Sequence, residues 1–370
     1  MSKSAREVAA KVCGDLNKHS IKQLVVLHQK WLNGDPDGKR LVADKGFDLS
    51  EADLGCVDLS GAILREVDLN GANLSCANLQ RVNFYSTDLS NANLSNADLS
   101  GANLASAILI NTDLSGAVLR KTDLMHVNAI GANFTRSFLI GVQACEGCFQ
   151  LADFTSAHVI YGNFEEASFL RATLNQTNLS YSDLTKCELT GIDFRGNELE
   201  GAVFNSAKLS DCNFSECILR GLEFGDAELV NANLAGVDLR GVKLDYTNMK
   251  GADLSCANLR NTFLRSSSLE SANLQEADLR CADLKGARMM KANLNNANLG
   301  NVELANATLE GATLRQANLS GANLNAYNAP ADLTNADLSG AIVTGVTFTG
   351  IDLSTVNLTG VDMSKAIIAT

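Results

Sequence analysis

The stretch Ser95–Leu104 reads SNADLSGANL, and it states one five-residue unit twice. Ala97, Asp98 and Leu99 are answered by Ala102, Asn103 and Leu104, with two variable residues after each Leu. Extending the Leu position outward gives an unbroken series from Leu49 to Ala329, with 57 members, of which 41 are Leu and ten Phe. A period of five fits neither a helix nor the alternation of a strand. It fits a chain that turns a corner every five residues. The small and the large residue of each unit are two apart, so an extended segment points both inward. No unit buries its own Leu, so successive turns must stack and share a core. Arg220, Arg240, Arg260 and Arg280 recur at a second interval, which hints at twenty residues per turn.

On this A-[D/N]-L-x-x unit, residues 45–370 resemble the pentapeptide-repeat family. The resemblance implies an all-β solenoid, a right-handed quadrilateral β-helix with four units to each coil. At the usual spacing between paired strands the chain would form about 16 coils and a rod roughly 75–80 Å long. Residues 1–45 differ. Ser4 and Glu7 open one short helical pattern that stops at Gly14, and Ser20 and Gln23 open a second that stops at Gly34. The apolar face of the second is Ile21, Leu24, Val25, His28 and Leu32, with Trp31 beside it. A short N-terminal α-helical cap and linker over 1–45 is therefore expected, followed by the repeat over 46–329. The phase then slips: Leu333 follows Ala329 by four residues, next to Pro330. This reads as the loss of one residue at a remade corner, with Tyr327 turned outward and residues 330–370 forming the last two coils.

The formal charge of −12 disfavours direct contact with nucleic acid. Residues 1–45 carry nine basic and five acidic side chains, and the remainder 21 and 37. No stretch has the apolar length of a membrane span, so a cytoplasmic protein with reduced thiols is expected. Chemistry finds little foothold. His19, His28, His126 and His158 share no motif, and there is no P-loop or dinucleotide fingerprint. Cys145 and Cys148 form a single C-x-x-C, CEGC, short of the four ligands of a structural zinc site. Cys187, Cys212 and Cys217 take the inward small position and read as packing. Cys56 and Cys76 should stack on neighbouring turns as free thiols. Asp and Asn along the repeat read as structural hydrogen bonding, not as calcium ligands. No cofactor, metal or catalytic residue is expected, and the chain reads as a non-enzyme.

With twenty residues per turn, outward residues stack into columns. One face collects Val118, Phe138, Ile140, His158, Ile160, Tyr161 and Tyr181 where other units carry Asp, Asn, Ser or Gly. Val118, Phe138, Ile140, Ile160, Tyr161 and Tyr181 form the candidate protein interface. The same face continues into the four arginines, with Asp238 and Asp278 beside them. Ile108, Ile110, Ile130 and Leu170 form a smaller apolar column opposite. Nine of the ten Phe of the inward series lie between Phe134 and Phe224. The leading expectation is a scaffold that presents surfaces to a protein partner. Family resemblance supplies the alternative, a DNA mimic that protects a type II topoisomerase such as gyrase from quinolones. Against it stand the absence of loop insertions and an uneven charge: residues 51–100 sum to −5 and 101–150 to zero. Met363, Ile367 and Ile368, at an uncovered last coil, are the candidate end for a homodimer.

Overall fold

The computed structural model describes residues 21–325 and 330–368. It falls into two compact units, Met1–Ser182 and Asp183–Thr370. The expected helix between Ser4 and Gly14 and the corner at Tyr327 lie outside the described residues.

In the first unit, helix α1 (Ile21–Leu32) ends where Gly34 takes a left-handed φ of 75°, a conformation that costs glycine little. His28 is buried, while Ile21, Leu24, Val25 and Leu32 are half-buried, so the expected apolar face points inward. His28 Nδ1 accepts the Leu41 N–H at 3.0 Å, and its ring stacks on Trp31 at 5.3 Å. Arg40 lies over Trp31 and donates to the Gly61 carbonyl, and Gln29 donates to the Asp58 carbonyl. The helix is thus tied to the first turns of the repeat. Strand β1 (Val42–Ala43) pairs in parallel with β2 (Ile63–Leu64), so turn-to-turn pairing starts before residue 46, inside the stretch expected to be cap and linker.

Burial holds the His28 imidazole below its ordinary pKa; Arg40 acts in the same direction, and the Ser60 and Leu59 backbone and Asp58 oppose it. A second ring proton would also set N–H against the Leu41 N–H. The unfolded chain takes that proton at about pH 6.5, the folded chain only at lower pH. This contribution is therefore fully present above the unfolded pKa and falls as the pH drops through the folded one. Emission from Trp31, the only Trp, should report weaker docking of α1 as the pH falls from about 7.5 to 5.5. His28→Asn, which keeps an acceptor and cannot be protonated, should remove that step. An unchanged pH dependence in this variant would exclude His28 as its source.

Elsewhere in this unit the pairing consists of single parallel bridges at an interval of twenty residues, such as Asp53 with Asn73 and Asn73 with Asn93. The unit Ala72–Cys76 shows why. Ala72 N–H donates to Leu69 O across the corner, Asn73 N–H to Ala52 O one turn back, and Leu74 N–H to Asn93 O one turn on. Cys76 N–H donates to Ser95 O, and Ser75 N–H to the Oδ1 of Asn73. All five donors are satisfied, as buried backbone requires. The Asp or Asn of the unit is therefore an acceptor for the corner, and the second residue after the Leu, here Cys76, takes φ > 0, as its counterparts do from Glu51 to Gly321. Ala72 and Leu74 are fully buried. Where Thr or Ser replaces the small residue, its hydroxyl donates to a backbone carbonyl, as Thr112 does to Leu89 and Ser182 to Val159.

Phenylalanines fill the same inward positions. In the first unit Phe134 stacks on Phe154 at 4.7 Å and Phe149 on Phe169 at 5.2 Å. Gly147, at the inward small position, makes room for this cluster: a Cβ there would lie 2.6 Å from the Phe149 ring. The CEGC spacing is thus one corner, with Gly147 buried between two half-exposed cysteines. Gly147→Ala should destabilise by about 1–3 kcal/mol through overpacking, measured by thermal or denaturant unfolding. A neutral effect would show that the ring is not confined there.

The second unit repeats the pattern from the Asp183–Val203 bridge onward, with Phe194 on Phe214 and Phe204 on Phe224 in its core. Cys212 and Cys217 donate to the Leu189 and Phe194 carbonyls, and burial pushes their thiols up to about 12 and about 11. They are packing groups, as expected. The phase slip is different from its expectation. Thr308 pairs with Asp332, Thr313 with Asp337 and Asn318 with Ile342, an interval of 24, before Asp337–Asn357 restores twenty. Ala331 N–H donates to Leu324 O, the bond that a regular corner makes three residues on. The irregularity is an insertion of four residues between Leu324 and Leu333, not the loss of one. The repeat therefore does carry an insertion.

Candidate protein-docking face

The residues Val118, Phe138 and His158 occupy the Asp/Asn position of three successive turns in the first unit, bridged in register. Phe138 and His158 stack with ring centres 5.0 Å apart and planes within 3°. None of the three can supply the Oδ1 acceptor. The N–H groups of Arg120, Ile140 and Ile160 accordingly have no protein acceptor among the described residues, whereas Ser100 and Ser180 on the same column bond Asp98 and Asn178. Such a bond contributes about 0.5–1.5 kcal/mol. The chain gives up three of them at stacked positions and places apolar side chains there instead.

Next to this column, Ile140 and Ile160 are half-buried, and Tyr161 and Tyr181 stack at 5.1 Å while remaining 61% and 44% exposed. Both tyrosines sit at the left-handed corner position, with φ of 57° and 60°. Successive turns all hold this position at φ > 0, with Lys121, Arg136, Leu151 and Arg171 among its occupants, so the two tyrosines are set apart by their stacking and exposure and not by their backbone. The structure thus brings all six residues of the candidate interface onto one face. Arg120 and Lys121 border it at one end. Around other faces of this unit, Leu151 (58% exposed) joins the half-buried Ile108, Ile110, Ile130 and Leu170. Leu151 was not singled out in the sequence, because the corner position tolerates many residues and only its exposure makes it notable.

In the second unit two of the four arginines, Arg240 and Arg280, are paired with carboxylates. Asp238 binds Arg240 at 2.6 Å and Asp278 binds Arg280 at 2.5 Å. Hydrogen bonding to Arg240 and to Arg280 holds these carboxyls below their usual range, with Arg220 and Arg260 adding to the effect. Asp283 binds Arg265, and Asp337 binds Arg315. At the end of this unit the 3-10 turn Met363–Lys365 leaves Met363 half-buried, and Ile367 and Ile368 are 54% and 58% exposed. Among the described residues no three potential metal ligands converge, and no helix is long and apolar enough to cross a membrane.

The family model for pentapeptide repeats matches in eight copies within residues 48–116, 232–326 and 331–368, and a second model, for a pentapeptide repeat region, matches 148–224. A search of curated proteins gives no match. Among solved structures, a trypsin-treated variant of QnrB1, a plasmid-mediated fluoroquinolone resistance protein, is 24% identical over 51% of this chain and 89% of its own, with a TM-score of 0.25. HetL, a pentapeptide-repeat protein involved in heterocyst differentiation regulation from the cyanobacterium Nostoc sp. strain PCC 7120, is 24% identical over 92% and 96%, with a TM-score of 0.15. Rfr23 from the cyanobacterium Cyanothece 51142 is 28% identical over 37% and 91%, with a TM-score of 0.17. The family matches and the five-residue unit that underlies them agree along the chain, which belongs to the pentapeptide-repeat family.

Proposed function

We propose that this chain is a non-catalytic repeat scaffold, a right-handed quadrilateral β-helix of about 16 coils, capped by α1, that docks another protein on the face built by Val118, Phe138, Ile140, Ile160, Tyr161 and Tyr181. The observation that carries the reading is the stacked apolar column itself. It replaces an acceptor that the corner uses elsewhere, and beside it two stacked tyrosines stand exposed. Exposed apolar side chains contiguous on one face are a common mark of association. Replacing Phe138, Ile140, Ile160 and Tyr161 together with Ser or Asn should abolish capture of the partner from native lysate while the fold is kept. Retained capture by a folded variant would remove this face from the reading.

The exposed end of the second unit supports a further part of the same proposal: residues 331–370 pair with those of a second copy through Met363, Ile367 and Ile368. Light scattering at tens of micromolar protein, about the scale of a moderate interface, should give a dimer for the full chain and a monomer for a chain ending at Asn328. A monomeric full chain would exclude the pairing. A DNA-mimic reading is less well supported, because Asp238, Asp278, Asp283 and Asp337 are engaged by arginines and offer no unpaired row of negative charge.

A further inference from the structure

Cys56 and Cys76 occupy the same corner position of two consecutive turns. Their backbones have matching left-handed φ values of 57° and 56°, and both side chains are exposed. Cys56 N–H donates to Ser75 O at 2.8 Å, beside Cys76, and Cys76 N–H donates to Ser95 O at 2.9 Å, so both residues follow the same ladder. Just before them, Asp53 and Asn73 are bridged, with Asn73 Nδ2 donating to Asp53 Oδ1 at 2.9 Å. Paired segments lie about 4.8 Å apart, and disulfides join Cα atoms about 4.4–6.8 Å apart. Equal φ at equal positions sends the two Cα–Cβ bonds out side by side. The proximity is also felt electrostatically: Cys76 is the leading cause that holds the Cys56 thiol above its ordinary range, followed by desolvation, with Asp53 adding to it.

From this juxtaposition we propose that Cys56 and Cys76 form a dithiol site that closes to an inter-turn disulfide by exchange with a low-molecular-weight disulfide. One protein thiolate attacks the reagent, forming a mixed disulfide and releasing one small thiol. The second protein thiolate then attacks the protein sulfur of that mixed disulfide and expels the other small thiol. Two protein thiols are oxidised by two electrons, one reagent disulfide is reduced to two thiols, and the two protons pass to the released thiols. The product fastens two turns of the repeat covalently. The other exposed cysteines among the described residues lack this arrangement. Cys256 faces Glu276 one turn on, and the column of Cys281 holds Asn261 and Asn301.

The test is to incubate the reduced full chain with glutathione disulfide, block the remaining thiols by alkylation under denaturing conditions, and map the products by mass spectrometry. The peptides that carry Cys56 and Cys76 should appear joined, two hydrogens lighter than the reduced pair and free of glutathione. In Cys56→Ser and in Cys76→Ser the remaining cysteine should instead retain one glutathione, as Cys256 and Cys281 do in the unaltered chain. Retained glutathione on both residues of the unaltered chain, or two thiols left free for alkylation, would overturn the proposal.

Discussion

Leu254→Asp should destabilise the second unit by more than about 4 kcal/mol, the range reached when a core contact is lost and a charge is left unpaired in a dry interior. Leu254 is fully buried, and its N–H is already committed to Asn273 O in the next turn. An aspartate there loses the apolar burial of the leucine and enters an interior lined by Leu and Ala. The neighbouring Ser255 makes the comparison sharp. It is half-exposed, points outward, and gives its N–H to the Asp253 carboxylate. Ser255→Asp changes the same charge by the same amount one residue along and should stay within about 0.5 kcal/mol, with mutual repulsion from Asp253 weakened by solvent. Urea unfolding of both variants measures the contrast. Similar losses would mean that the inward assignment of the whole Leu series is wrong.

That assignment was legible because the five-residue unit states burial and corner at once, and states them many times. Other features were not legible, for definable reasons. A phase counted in fives treats the gain of four residues and the loss of one as the same shift. Leu333 therefore looked like the sequel to a shortened unit, although the pairing of Thr308 with Asp332 shows four added residues. Composition likewise showed that Asp and Asn precede Leu, but not that Asn73 accepts from Ser75. That bond depends on the corner's geometry. Once it is known, Val118, Phe138 and His158 change meaning. They are apolar and aromatic substitutions at a position where most side chains close a turn. Tyr161 and Tyr181 add a stacked, exposed pair beside them, at a corner position that other turns fill with residues such as Lys121 and Arg136. Columns at twenty residues, expected from the arginine spacing, already collected these groups on one face. The CEGC pair shows the opposite outcome: its spacing follows from a corner and a glycine that yields space to Phe149.

The phenylalanine cluster of the first unit gives the second large effect. Phe154→Ala should cost about 3–5 kcal/mol, the usual range for emptying a buried aromatic site. Phe154 is fully buried, lies flat against Phe134 at 4.7 Å, and meets Phe149 edge-on at 5.7 Å. Removing it leaves a hole lined by rings that are themselves held by their own turns, so collapse is limited. Phe154→Leu tests whether volume or aromatic stacking matters more. Leucine is the natural occupant of this column at Leu94, Leu114 and Leu174. It refills most of the space and forfeits the ring pairs, so a cost of about 1–1.5 kcal/mol is expected. Stacked repeats touch only their neighbours, so the damage should also be local. Hydrogen exchange in Phe154→Ala should quicken first at the N–H groups of Phe134 and Phe154, which donate to Asp153 O and Thr173 O. The N–H of Leu74, three turns before Phe134 in the same column, should exchange at its original rate. Equal costs for Ala and Leu would show that ring stacking, not filling, holds this part of the core. Uniformly faster exchange across the first unit would show that its turns unfold together and not as neighbours.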